Sequence, residues 1–101
     1  MKAVWNDVVL AESDKTITFE GKEYFPKKSL NKEYFHKSAK TSWSPHKGNA
    51  VFYDLEVEDK KLEGGAWYYP DPRRKVDKIK KYVTFDPEVT VMESEPEEEE
   101  S

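Results

Sequence analysis

Asn49-Ala50-Val51-Phe52-Tyr53-Asp54-Leu55-Glu56-Val57-Glu58 carries the clearest structural signal in the chain. Val51, Tyr53, Leu55 and Val57 hold the odd positions, whereas Asp54, Glu56 and Glu58 hold even ones. Successive side chains of a strand point to opposite faces, so this alternation predicts a strand with one buried face and one wet face. Ala50 and Phe52 interrupt the polar face at its beginning. The first half of the strand is therefore expected to be covered on both sides.

Outward from this strand the chain reads as short strands punctuated by turn residues. On the C-terminal side, Gly64-Gly65 is expected to turn the chain back into Ala66-Trp67-Tyr68-Tyr69. Asp71-Pro72 predicts a helix start, because an N-cap Asp accepts an orphan N–H and Pro at the first helical position has none to lose. Val76, Ile79 and Val83 then form one apolar stripe among bases. That helix must be short, since Tyr82-Val83-Thr84-Phe85 reads as a strand that Asp86-Pro87 turns into Val89-Thr90-Val91. On the N-terminal side, Leu30 and Tyr34 suggest a weaker helical turn within residues 29–35. Val4-Trp5 pairs with residues 8–11 around Asn6-Asp7, and Gly21 separates residues 16–19 from Tyr24-Phe25-Pro26. The expected fold is mainly β: a compact single-domain antiparallel sheet of short strands, barrel- or sandwich-like, with one or two short helices.

Composition bounds what this fold can do. The 101 residues suit one core, and a domain near this size has room for one shallow pocket or one interaction face. Hydrophobic residues are only 36% against 38% charged, so the 14% that are aromatic must carry the core under a charged surface. There is no cysteine, which excludes disulfides, thiolate chemistry and cysteine-type zinc sites and fits a reducing compartment. Residues 1–7 lack the apolar run of a signal peptide, and no segment approaches the ~20 apolar residues of a membrane span. A cytoplasmic location without membrane association is expected.

The net charge of −4 is unevenly distributed. Residues 93–101 contain six Glu and no base or apolar residue, and such a segment cannot offset its ordering entropy. A β-rich domain over residues 1–92 and a disordered acidic tail over 93–101 follow. By contrast, residues 73–81 hold six bases against Asp77 alone.

Two clusters carry candidate chemistry. In Trp43-Ser44-Pro45-His46-Lys47-Gly48-Asn49-Ala50, Lys47 and the Gly48 N–H could hold a phosphate or carboxylate, and His46 is the one weak candidate for moving a proton. The plainer reading is that Pro45 and Gly48 shape a tight turn with solvated side chains. The Gly-rich run of a phosphate-binding P-loop is missing. In Trp67-Tyr68-Tyr69-Pro70-Asp71-Pro72-Arg73-Arg74, Trp67 and Tyr69 share one face of a strand and Tyr68 takes the other. One face is core, and the other is either core as well or a stacking platform beside Arg73. The basic stretch reads as a solvated helix face, so nucleic acid is not expected as a partner. His36 and His46 are the only imidazoles and no acidic loop has calcium-hand spacing, so no metal site is expected and any cofactor is left unidentified.

Several stretches together resemble a known family. They are Lys2-Ala3-Val4-Trp5-Asn6 with Leu10-Ala11-Glu12-Ser13, Tyr24-Phe25-Pro26, Ser44-Pro45-His46-Lys47-Gly48-Asn49-Ala50 with Phe52-Tyr53, Ala66-Trp67-Tyr68-Tyr69-Pro70, and Tyr82-Val83-Thr84-Phe85. In order and spacing they are similar to the domain of unknown function 427 family, which also carries a nucleotidyltransferase-like label. The resemblance spans nearly all of residues 2–91 and implies a compact, mostly β single domain. Relatives often show Cys where this chain has Ser44 and an aromatic residue where it has His46. That weakens a catalytic reading and leaves Lys47-Gly48 as the best-matching portion.

Three functional readings result. The first is a non-enzymatic domain that binds a small anionic ligand in a shallow pocket of Trp43, His46, Lys47, Gly48, Tyr53, Trp67, Tyr69 and Arg73. The second is an enzyme acting on a nucleotide or another phosphorylated small molecule, with His46 as acid or base. The third is a protein-interaction module or homodimer that pairs through a strand edge.

Overall fold

The computed structural model describes residues 1–94, so the expected acidic tail, apart from Glu93 and Ser94, lies outside the described residues. It begins with two hairpins whose turns are dictated by local chemistry. β1 (Lys2–Trp5) and β2 (Val8–Glu12) pair antiparallel around Asn6 and Asp7, both at positive φ (53° and 64°). β3 (Ile17–Phe19) and β4 (Lys22–Tyr24) do the same around Glu20 and Gly21 (53° and 78°). Two central residues at positive φ match the right-handed twist of the flanking strands, and Asn, Asp and Gly reach that region most readily.

Two 3₁₀ turns, Lys27–Ser29 and Lys32–Tyr34, lead into the central sheet. Its strands are β5 (Phe35–Ser44), β6 (Gly48–Val57), β7 (Lys60–Tyr68) and β8 (Val83–Phe85), antiparallel and in sequence order. A third 3₁₀ segment, Arg74–Ile79, joins β7 to β8, and β9 (Thr90–Met92) returns to pair with β1. The sheet order β2-β1-β9 places the first and last strands side by side.

The sheets are stitched together by short backbone contacts. Phe25 and Val83 exchange N–H···O bonds of 2.7 and 2.8 Å, which fastens the β3–β4 hairpin to β8. The Asn31 N–H donates to the Leu10 carbonyl (2.8 Å) and its Nδ2 donates to the Val9 carbonyl (2.7 Å), tying the 3₁₀ region to β2. The fold is mainly β and antiparallel, as expected, but these links do not close a barrel.

β6 is buried on both faces, and a separate apolar cluster lies on each. Leu55 and Val57 belong to one cluster with Leu10, Phe25, Val83 and Phe85. Ala50 and Phe52 belong to the other with Tyr24, Tyr69, Val76 and Ile79. The expectation for the start of the strand thus extends along most of its length. Asp54, read from its alternation as solvated, is buried.

Gly64-Gly65 is not the reversal expected of it. The chain turns at Glu58 and Asp59, and the glycines form a bulge inside β7, where residues 63–65 face Asp54 between the pairs Tyr53–Ala66 and Leu55–Leu62. Gly64 lies at φ +63°, a conformation that glycine adopts without the steric cost of a Cβ. The Asp54 carboxylate accepts its N–H at 2.8 Å. Nor does the predicted helix start at Asp71. The segment is helical only from Arg74, in the tighter 3₁₀ form and kinked at Val76, and Val76 and Ile79, three apart, are both buried.

Candidate functional site

A second bulge sits on the other flank of β6. Residues 38–40 of β5 oppose Phe52 between the pairs Lys37–Tyr53 and Thr41–Val51. The two bulges bring Lys40 and Gly64 together above the Phe52 ring. The Lys40 Nζ lies 4.9 Å from the ring centroid, and a Cβ on Gly64 would stand 2.9 Å from the Lys40 Cδ. Bulges concentrate where a sheet re-aims side chains, often next to functional sites.

Here they form the rim of an open cleft of about 290 Å³. Trp43, Phe52, Trp67 and Tyr69 supply its aromatic lining, and Lys40, Ser42, Ser44 and Asp86 supply its polar groups. Trp43 is 60% exposed, far more than the other tryptophans, whereas Trp67 packs against Phe52 with ring centroids 5.4 Å apart. The Lys22 ammonium lies 5.2 Å from the Trp67 ring centroid and donates to the Phe85 carbonyl at 3.0 Å, which holds that ring from behind. Gly48 closes one end of the cleft at φ +90°. A Cβ there would sit 3.3 Å from the Asp71 carbonyl oxygen, so the turn before β6 packs directly on the segment after β7.

The eight residues selected from the sequence divide among several places. Trp43, Gly48, Trp67 and Tyr69 line this cleft. His46 and Arg73 line a neighbouring basic cleft of about 590 Å³, together with Phe19, Glu20, Pro45, Arg74, Lys75 and Val76. Lys47 is ion-paired with Glu20, Nζ to Oε1 at 2.7 Å, and lines neither. Tyr53 faces the opposite side of the sheet, stacked on Tyr68 at 5.7 Å and edge-on to Phe35 at 5.5 Å. Lys40, Ser42 and Asp86 were not selected. Lys40 lies three residues before Trp43, but the bulge that aims it leaves no periodic trace.

Tyr24, Asp54 and Asp86 are engaged in the structure itself. Burial pushes the Tyr24 phenol well above its ordinary range, and Tyr69 and Glu20 add to the shift, so it stays protonated at neutral pH. Burial would also raise the Asp54 carboxyl, but the Gly64 N–H, the Ser38 hydroxyl and the charges of Lys61 and His36 hold it below its ordinary value. Asp86 accepts the Glu88 N–H at 2.9 Å while its own N–H donates to the Gly65 carbonyl. Among the described residues no group of three or more His, Asp or Glu side chains is gathered to hold a metal ion. No helix among them is long and apolar enough to cross a membrane.

No curated protein matches the chain. The model of one family matches residues 1–97, which takes in all nine strands, both clefts and the turn between them. The chain therefore belongs to the family described as domain of unknown function, DUF427.

Proposed function

We propose that this domain binds a small anionic ligand in the aromatic cleft, with a flat part of the ligand stacked on Trp43 and its charge directed to Lys40. One observation carries the reading. A large indole stands 60% exposed at the mouth of an aromatic-lined depression, beside a lysine that two bulges converge to place there. Pockets of small ligands combine apolar walls with a few aimed polar groups, and this cleft has that make-up. Lys40 takes the role that the sequence suggested for Lys47, which is paired with Glu20 and does not line this cleft. The proposal is for binding alone.

The test is a backbone-amide NMR titration of the full chain against pooled organic acids, sugar phosphates and nucleotides. Saturable shifts at Trp43, Gly64, Trp67 and Tyr69 are expected. Trp43→Ala should then weaken binding about fivefold or more, because stacking on an aromatic side chain is worth about 1–3 kcal/mol. Absence of saturable shifts in this cleft with every pool would refute the reading.

A second reading has one observation in its favour. β5 is the ten-residue edge of the central sheet, and its outer side is a potential template for another strand. Its bulge and exposed Lys37 and Lys40 are features that oppose such pairing, so it ranks second. Light scattering at two concentrations tests the homodimer version, and a strict monomer would remove it.

A further inference from the structure

The basic cleft on the other side of the Ser44–Gly48 turn differs in character from the aromatic one. Its lining combines apolar Phe19, Pro45 and Val76 with His46 and the cations Arg73, Arg74 and Lys75, against the single carboxylate of Glu20. All three cationic side chains belong to exposed residues. A fourth cation, Lys78, stands 5.2 Å from the Phe19 ring centroid at the same border. The aromatic cleft, by comparison, has a single cation in its lining, Lys40. Charges of one sign set over low-dielectric walls focus the field and concentrate a counter-ion. Arginine forks also match phosphate oxygens in a two-pronged geometry that ammonium groups do not offer.

The one acid in the cleft has a specific place. Glu20 sits at φ +53° in the β3–β4 turn, and its Oε1 is 2.7 Å from the Lys47 Nζ. The Glu20 side chain is 57% exposed and that of Lys47 20%, so the pair is open to water on its carboxylate side, and such exposed pairs are weak. An incoming polyanion can displace the carboxylate at little cost and would then gain Lys47 as a further cation.

We propose that this cleft is a binding site for a pyrophosphate-type polyanion, gripped by Arg73, Arg74 and Lys75, with Glu20 as a built-in competitor that holds Lys47 until the anion arrives. The site is separate from the aromatic cleft and does not depend on it. Two sources share this chemistry: a free condensed phosphate, and the phosphate chain of a larger ligand whose ring crosses the turn to Trp43. Consecutive residues, Ser44 and Pro45, line the two clefts, so a chain bridging them has only the width of the turn to span.

The test is calorimetric titration of the full chain with inorganic pyrophosphate at low ionic strength. Glu20→Gln should tighten binding about two- to fivefold, the size of one solvent-exposed charge interaction. The double change Arg73→Ala with Arg74→Ala should weaken it about tenfold, and raised salt should weaken the unaltered protein. All three residues concerned are outside the buried core, and Glu20→Gln keeps the side-chain shape, so neither variant removes core packing. Repeating the titration with adenosine triphosphate separates the sources. Tighter binding that Trp43→Ala abolishes assigns the site to a ring-bearing ligand, and affinity equal to that of a bare phosphate chain assigns it to the free anion; both support the site. A Glu20→Gln variant that binds pyrophosphate no better than the unaltered protein, or an arginine double variant that binds it equally well, overturns the proposal. So does the absence of any binding.

Discussion

Replacing Asp54 by alanine isolates the clasp on which the β7 bulge depends. The carboxylate is buried and accepts the Gly64 N–H at 2.8 Å, at the point where Gly64 adopts φ +63° to line the cleft. Asp54→Ala leaves that N–H without its acceptor, and a buried unsatisfied donor costs about 1–3 kcal/mol, more when the lost partner was charged. A loss of about 2 kcal/mol lowers Tm by about 8–16 °C in a domain of this size. Asp54→Asn keeps an acceptor oxygen without the charge and should lose about half as much. The two variants also differ from the unaltered protein in their pH dependence. Folding holds the Asp54 carboxyl below its ordinary value, so its stabilisation is complete above the unfolded-state value of about 3.9. It then fades as pH falls through the lower folded value. Urea unfolding at pH 7, 5 and 3 should therefore show a constant gap between the unaltered protein and Asp54→Asn at the first two values and a smaller gap at pH 3. Asp54→Ala within about 0.5 kcal/mol of the unaltered protein at pH 7, the ordinary range for a surface change, would refute the clasp.

Two further variants separate packing from binding. At Gly65 a new Cβ would stand 2.7 Å from the Leu55 Cδ1 and 2.9 Å from Leu62, so Gly65→Ala should lose about 1–3 kcal/mol in denaturant unfolding through overpacking. Tyr53→Phe removes a hydroxyl on the face away from the aromatic cleft and should leave any ligand titration at Trp43 and Trp67 unchanged.

Which parts of the fold could be read from the chain follows from how each is held. The first two hairpins were legible because Asn6-Asp7 and Gly21 are local devices whose residue types match their backbone geometry. β6 was legible because its alternation survives on the face that carries Leu55 and Val57. β5 was not. Phe-His-Lys-Ser-Ala-Lys-Thr-Ser-Trp-Ser is mostly exposed, and its bulge removes any constant period. Gly64-Gly65 was mistaken for a reversal because a bulge needs the same freedom of φ as a turn, whereas the true reversal at Glu58-Asp59 has neither Gly nor Pro. At the site, the Trp43, Gly48, Trp67 and Tyr69 grouping was accessible because strand parity puts Trp67 and Tyr69 on one face. The Lys47–Glu20 pair was hidden, since 27 residues separate partners that only the tertiary fold brings together.

The burial of β6 on both faces also has a consequence for how accurately the chain assembles. A strand with one wet face resists slipping by a residue, because the slip would carry its apolar set into water. β6 lacks that safeguard over residues 50–55: a one-residue slip would exchange Phe52 and Tyr53 between two layers that are both largely apolar. What such a slip cannot accommodate is Asp54, which would leave its clasp with Gly64 for the apolar side of Leu10 and Phe25, together with exposed Glu56 and buried Val57, which would trade places. The buried acid, unfavourable to desolvate in any other register, thus serves as the proofreading mark of the central sheet.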